Sequence, residues 1–209
     1  NGRPLAINYL VDKVPAIIEG WYMGQETGTA AAEIIFGETN PSSKLTITFP
    51  KSVGQLPMYY NHKPGAQFHQ YLSQDNKPLF AFGFGLSYTR FIYSSPVLEK
   101  EVILPDESVK LKINITNSGN MPGDEIIQLY IRDKVSSVTR PVKELKGFKR
   151  LSINSGETKN IAFDITPEML SFYDIIMNYT AEPGEFEIMI GSSSDDNDHQ
   201  KITLTVKEK

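Results

Sequence analysis

Four carboxylates in the first ninety residues are candidates for acid–base or nucleophilic chemistry. Such catalysis needs two carboxyl groups that are held close together across a bound substrate. The sequence offers no spacing argument that pairs any two of the four, which are Glu26, Glu33, Glu38 and Asp75. Because carboxylates on helices and loops are ordinarily surface groups, we predict no catalytic residue in this chain.

A second candidate is the loop-like stretch from Lys51 to Pro78, which is dense in aromatic and amide side chains. They are Tyr59, Tyr60, Asn61, His62, Gln67, Phe68, His69, Gln70 and Tyr71. A long irregular loop in a compact protein is usually functional or disordered, and the aromatic content argues against a disordered linker. We interpret it as a ligand-binding surface or as a surface that packs on another domain. His69 and Tyr71 are the stronger binding candidates.

Composition and charge exclude several classes of function. The three histidines lack the spacing of metal ligands and the chain has no Cys, so we predict no metal site and no cofactor. The net charge of −4 is spread along the chain, which disfavours binding to nucleic acid. No apolar run approaches the roughly 20 residues that a membrane-spanning helix needs, so we predict no membrane span.

The elements that must position these residues have mixed character at first. The sequence predicts a helix over 16–21 after Pro15, and another over 29–36 that Thr29 caps and Gly37 ends. Glu26 is predicted to support the start of the second helix rather than to face a cleft. Alternation over 44–49 predicts a half-buried strand. Two helices followed by a strand indicate the last units of an α/β domain whose opening strands precede this sequence.

From about residue 92 the pattern is typical of β-structure throughout. Apolar residues alternate with polar ones over five runs, 109–115, 127–131, 161–165, 186–190 and 202–206, with turn sequences between them. Such a pattern predicts an antiparallel β-sandwich of about seven strands. Within it, Arg140 and Glu144 are expected to make intrasheet or interdomain contacts, and the acidic stretch 192–198 is expected to be a solvated turn.

Several segments resemble, in order and with compatible spacing, the C-terminal half of glycoside hydrolase family 3. They are NGRPL (1–5), EGWYMGQETG (19–28), GETNPSSKL (37–45), TFP (48–50), VGQLP (53–57), FGFGLSYT (82–89), GDEIIQLY (123–130) and TRPVKELKGF (139–148). Each segment alone is weakly specific. The ordered set covers essentially the whole chain, which identifies it as similar to that family.

The resemblance implies a two-part α+β chain. Family members have a barrel-like first domain, an α/β sandwich second domain and a fibronectin type III-like third domain. Residues 1–91 would be the C-terminal part of the second domain, and residues 92–209 the third. The implied partner is therefore the N-terminal barrel domain of the same parent protein.

The resemblance also implies an activity for the parent protein. Members remove terminal β-linked sugars from oligosaccharides or glycosides, most often glucose and in other cases xylose or N-acetylglucosamine. A carboxylate nucleophile forms a covalent glycosyl-enzyme, and a second carboxyl group acts as acid and base. In the family the nucleophile lies on the first domain and a Glu acid/base lies upstream of the segment that matches residues 1–4. Neither position falls in this chain, so we expect it to be inactive alone.

Three residues are expected to contact the sugar in such a parent. Aromatic faces can pack on sugar rings, which favours His69 and Tyr71, and Phe84 could border the outer subsites. The alternative for Phe84 is packing at a tight turn between domains.

Two other interpretations of the whole chain stay open. It could be part of a β-xylosidase, or it could be a non-catalytic carbohydrate-binding or structural module. Export is frequent in the family, which favours a periplasmic or extracellular location.

Overall fold

The computed structural model describes residues 2–65 and 75–208. Its first part contains helix α1 (Asn8–Val11), helix α2 (Thr27–Phe36) and a short 3-10 helix (Val53–Gln55). The strands that follow are β1 (Phe91–Tyr93), β2 (Val97–Leu98), β3 (Val102–Ile103), β4 (Val109–Asn117), β5 (Gly123–Asp133), β6 (Glu144–Ile153), β7 (Thr158–Ile165), β8 (Phe172–Tyr173), β9 (Tyr179–Thr180), β10 (Gly184–Gly191) and β11 (Gln200–Val206). Helix α3 (Pro167–Leu170) follows β7. No helix in the described ranges is long and apolar enough to cross a membrane.

The strands form two main sheets. In one, β4 pairs with β7 along one edge and with β1 and β2 along the other, always antiparallel. The other has the order β3-β11-β10-β5-β6, in which only the short β11–β3 pair is parallel. Strands β8 and β9 form a separate hairpin. The predicted antiparallel β-sandwich is confirmed, and all five predicted runs are strands.

The core lies between the two main sheets because alternate residues of each strand point to one face. On β4, Leu111, Ile113 and Ile115 are at most 2% exposed. They pack in one cluster with inward residues of β5, β7, β10 and β11. Strand β6 was not predicted, since its charged and exposed residues break the alternation at the edge of the sheet.

Strand β5 is unusual because both of its faces are covered. Ile127, Leu129 and Ile131 point into the sandwich core, and Glu125 is in phase with them. On the opposite face, Gln128 and Tyr130 are at most 3% exposed. Residues from the first part of the chain cover that second face. The strand therefore belongs at once to the core and to the junction between the two parts.

The prediction of a helix over 16–21 is wrong. These residues follow an irregular path, and the preceding helix is α1. Trp21 has a positive φ of 53°, and its backbone N–H is bonded by the Glu19 carboxylate, a local arrangement that competes with a helical turn. The β-branched residues and the glycine of this stretch also lower its helix propensity.

Two neighbouring predictions are partly correct. Helix α2 ends at Gly37 in the left-handed conformation, as expected, but it begins at Thr27 rather than after Thr29. Glu26 occupies the N-cap position without a side-chain hydrogen bond to the helix amides, so the predicted cap is not formed. The strand predicted over 44–49 is reduced to one bridge, Phe49 with Phe80. A strand needs a neighbouring strand that pairs with its backbone N–H and C=O groups. Within the described chain, that pairing is limited to the bridge between Phe49 and Phe80.

Burial predicts unequal stability along the chain. Neither α1 nor α2 contains a buried residue, whereas the sandwich strands supply nearly all of the buried apolar side chains. We expect backbone amides of α2 to exchange with deuterium much faster than those of β4 and β10, because local opening there exposes little apolar surface. Hydrogen exchange followed by mass spectrometry measures this difference. Equal protection of α2 and β4 would contradict it.

Candidate functional site

A tight turn at Phe82–Gly83 distributes the aromatic residues of the junction onto two sides. Gly83 has a φ of 80°, and the Phe84 amide donates to the Ala81 carbonyl at 3.1 Å. Only glycine adopts that φ without strain. The Gly83 amide also bonds the Leu45 carbonyl at 2.7 Å, and the Phe84 carbonyl accepts from the Leu45 amide at 2.8 Å. The turn is thereby fixed to the segment that ends at Phe49.

On one side of the turn the aromatic residues pack among themselves. The Phe84 ring stacks on Phe80 with centroids 5.1 Å apart, and Phe80 meets Phe49 edge-on at 6.2 Å. Trp21 continues the series against Phe49 at 5.8 Å. Phe84, which we predicted to border a sugar subsite, is half-buried in this series. The packing alternative is therefore realised, while any contact with a ligand stays a prediction.

The other side of the turn rests on the second face of β5. Tyr60 stacks on Phe82 with centroids 4.4 Å apart and meets Tyr130 edge-on at 5.7 Å. The Gln128 amide donates to the carbonyls of Gly83 at 3.2 Å and Ser192 at 2.6 Å. Burial raises the pKa of the Tyr130 phenol. Its O–H therefore stays protonated and donates to the Gln128 side-chain oxygen at 2.5 Å.

A buried ion pair joins the two parts beside this network. The Lys44 ammonium lies 3.3 Å from the Glu125 carboxylate, with side chains 11% and 4% exposed. The Tyr93 hydroxyl donates to the same carboxylate at 2.7 Å, and Lys44 also donates to the Gly85 carbonyl at 3.2 Å. Burial first, and then the charge of Glu125, raise the pKa of Tyr93 well above its usual range. This site was not predicted from the sequence.

Of the other predicted binding residues, His69 and Tyr71 lie outside the described residues. Within the same stretch, Tyr59 is 60% exposed, whereas Tyr60 is packed against Phe82 and Tyr130.

Asp75, which we considered as a candidate acid, accepts a hydrogen bond from the Lys51 ammonium at 2.7 Å, and this bond lowers the pKa of Asp75. Arg140 and Glu144 form an ion pair, as expected, and the Arg140 guanidinium lies over the Phe172 ring.

The acidic stretch 192–198 is only partly the solvated turn that we predicted. Ser193 and Ser194 are buried, and the Lys143 ammonium donates to the Ser194 carbonyl at 2.8 Å and to Asp196 at 3.0 Å. The buried His199 ring is bonded through Nε2 to the Ser193 carbonyl at 2.9 Å. This stretch is anchored because the Phe82 carbonyl also accepts from the Ser194 amide.

His199 is expected to make stability depend on pH. Burial first, and then the charge of Lys143, lower its pKa below 6.5, against the opposing effects of the Ser193 carbonyl and Asp196. The unfolded chain then binds the proton more tightly, so stability falls as pH drops below about 6.5, by at most about 1.4 kcal/mol per pH unit. His199→Gln should flatten this slope in urea unfolding between pH 7 and about 5. An unchanged slope in His199→Gln would contradict the assignment.

Two family models match the chain. The model of the glycosyl hydrolase family 3 C-terminal domain matches residues 1–88, and that of the fibronectin type III-like domain matches residues 125–194. Among curated relatives, a β-xylosidase of Formosa agariphila is 44% identical over 99% of this chain and 29% of its own length. The periplasmic β-glucosidase of Salmonella typhimurium is 42% identical over 93% of this chain and 27% of its own length.

Solved structures give the same result. A β-glucosidase from Erythrobacter marinus has a TM-score of 0.93 and 39% identity, covering 98% of this chain and 27% of that one. A β-glucosidase from Listeria innocua in complex with glucose has a TM-score of 0.91 and 35% identity, covering 99% and 30%. The chain thus spans less than a third of the length of these relatives.

The fold and the junction define a two-part α+β chain in which an α/β portion is fixed to a fibronectin type III-like sandwich by buried polar contacts. The family models match these portions in the same order. The chain belongs to glycoside hydrolase family 3 and corresponds to the C-terminal portion of its members.

Proposed function

We propose that this chain is the C-terminal part of a retaining exo-β-glycosidase that releases terminal β-linked glucose. The observation that carries this proposal is the close similarity, over nearly the whole chain, to proteins named β-glucosidases. The two catalytic carboxylates would lie in the part of the parent that precedes this sequence. The chain alone would then be inactive.

A β-xylosidase is the second candidate. It is favoured by the 44% identical relative from Formosa agariphila, which carries that name. The two sugars differ by one hydroxymethyl group, so the choice depends on the pocket around that position. Residues from several parts of the parent would form such a pocket.

Residues 1–91 and 92–209 would have different roles in the parent. We propose that the sandwich braces the catalytic domains and that the first part completes the second domain and packs on the N-terminal barrel. In support, the first part exposes large apolar side chains that a solvated surface does not require: Tyr9, Ile18, Tyr22, Met23, Ile35 and Phe36. His69 and Tyr71 would contact the sugar, and Phe84 would border the outer subsites. A periplasmic or exported location is supported by the name of the Salmonella relative.

Hydrolysis of p-nitrophenyl β-glucoside and β-xyloside by the full-length parent and by this chain tests the proposal. The parent should turn over the glucoside faster than the xyloside, and the chain should turn over neither. Faster turnover of the xyloside would favour the second candidate. Hydrolysis by the purified chain would show that a carboxylate pair within it is catalytic and would contradict the proposed division of roles.

A further inference from the structure

A cavity of about 660 Å³ opens between the segment that follows the Gly83 turn and the sandwich. Its walls come from residues 85–91 on one side and residues 119–121 on the other, and it is also lined by the buried Glu125 and the half-buried Lys44, Tyr93 and Ser192. Small-molecule sites are typically clefts of roughly 300–1,000 Å³ with a few convergent polar groups, and they occur preferentially where domains meet. This cavity has the volume and position of such a site.

The polar side chains of the cavity keep hydrogen-bonding capacity to spare. The Lys44 ammonium has three N–H donors and two recorded acceptors, and the Glu125 carboxylate can accept about two bonds beyond those from Lys44 and Tyr93. Within the described chain, the side chains of Arg90 and Asn120 make no hydrogen bond or ion pair. The cavity therefore presents both donors and acceptors to an occupant.

The remaining lining is mixed, because it includes the hydroxyl-bearing Ser87, Thr89 and Ser192 as well as apolar side chains. Leu86 is 74% exposed and Met121 contributes further apolar surface, whereas Phe91, which also lines the cavity, packs against the sandwich core. An occupant that fits must combine several hydroxyl groups with C–H surface in a compact volume. Sugar rings have this combination, because their equatorial hydroxyls can bond carboxylate, guanidinium and amide groups while their ring faces pack on apolar side chains.

We propose that this cavity binds a small saccharide of one or two pyranose units. Arg90 and Asn120 hold hydroxyls at the mouth, Lys44 and Glu125 hold hydroxyls at the floor, and the ring packs against Leu86 and Met121. The site needs no catalytic residue, so it goes beyond the proposed function and does not depend on it. Its occupancy links the first part of the chain to the sandwich, since both parts supply ligating side chains.

The test is a titration of the 209-residue chain with glucose, xylose and cellobiose, followed by NMR saturation transfer and chemical-shift changes. We expect saturable binding of at least one sugar in the millimolar range. Arg90→Ala should weaken it about tenfold, the loss expected when one charged hydrogen bond is removed. Asn120→Trp should abolish it by filling the mouth, and Asn120 is outside the left-handed region, so its backbone accepts the larger side chain.

Arg132→Ala is the matched control, because Arg132 is an exposed arginine on β5 that does not line this cavity. It should leave binding unchanged. Circular dichroism of each variant establishes that the chain is folded. The proposal is overturned if no sugar shows saturable binding, or if Asn120→Trp binds as tightly as the parent chain. The second result would place the sugar elsewhere on the chain, for example on the aromatic stretch around Tyr59.

Discussion

Replacing Lys44 with methionine is expected to destabilise the chain by about 3–5 kcal/mol, the cost of removing one partner from a buried ion pair. Among the described residues, only the Tyr93 hydroxyl would still donate to the Glu125 carboxylate, which is 4% exposed. The desolvation penalty of that charge would then lack its main compensation. Urea unfolding of the two chains at pH 7, followed by circular dichroism, measures the difference.

An exposed pair in the same molecule provides the control. Lys112 lies 2.9 Å from Glu99, closer than Lys44 is to Glu125, but both side chains are about half exposed. Lys112→Met should therefore cost less than about 1 kcal/mol, as exposed pairs do. If the two lysine variants lose equal stability, burial does not govern the strength of the junction pair and the prediction fails.

A double variant separates the loss of the Lys44–Glu125 attraction from the cost of leaving the Glu125 charge buried without its partner. In Lys44→Met with Glu125→Gln, the amide oxygen can still accept from Tyr93 while no charge remains buried. Because replacing both members of a buried pair is far less costly than removing one, the double variant should be more stable than Lys44→Met alone. A double variant that is less stable would mean that Glu125 has other stabilising contacts.

The sandwich could be predicted from sequence because, along each strand, apolar residues occupy the buried positions and polar residues the exposed ones. On β4, each buried residue from Val109 to Ile115 alternates with a more exposed one, so the period of two is complete. Strand β6 follows no such rule, since an edge strand has less to bury. The helix predicted over 16–21 failed for a related reason. Ala16, Ile17 and Ile18 are exposed in the described chain, and local bonding at Trp21 decides the backbone instead.

The junction site was harder to predict because its members are far apart in sequence. Lys44 and Glu125 are brought together by the turn at Gly83 and by the sheet, neither of which spacing can reveal. One signal was present: Glu125 is in phase with Ile127, Leu129 and Ile131, so the alternation of β5 already placed it on the buried face. A charged residue at a buried position of a strand requires a partner. That requirement already implies a positively charged partner for Glu125.

Gly83→Ala is expected to cost about 3–5 kcal/mol, more than the strain of a positive φ alone, because two effects add. The φ of 80° is unfavourable for any side chain, and an added Cβ would lie 2.2 Å from the Gln128 side-chain oxygen. Gln128 cannot move aside without losing its short bonds to Tyr130 and to the Ser192 carbonyl, the first of which is buried. The turn and the second face of β5 would therefore be disrupted together.

Gly156→Ala isolates the backbone contribution. Gly156 has a similar φ of 73°, but no heavy atom lies within 4 Å of the position of an added Cβ. Its replacement should cost only about 1 kcal/mol, the strain of a left-handed backbone for alanine. The difference between the two variants in urea unfolding then reports the clash with Gln128. If Gly83→Ala loses no more stability than Gly156→Ala, the Gln128 side chain relocates at little cost, and the buried network does not fix the turn to the sandwich.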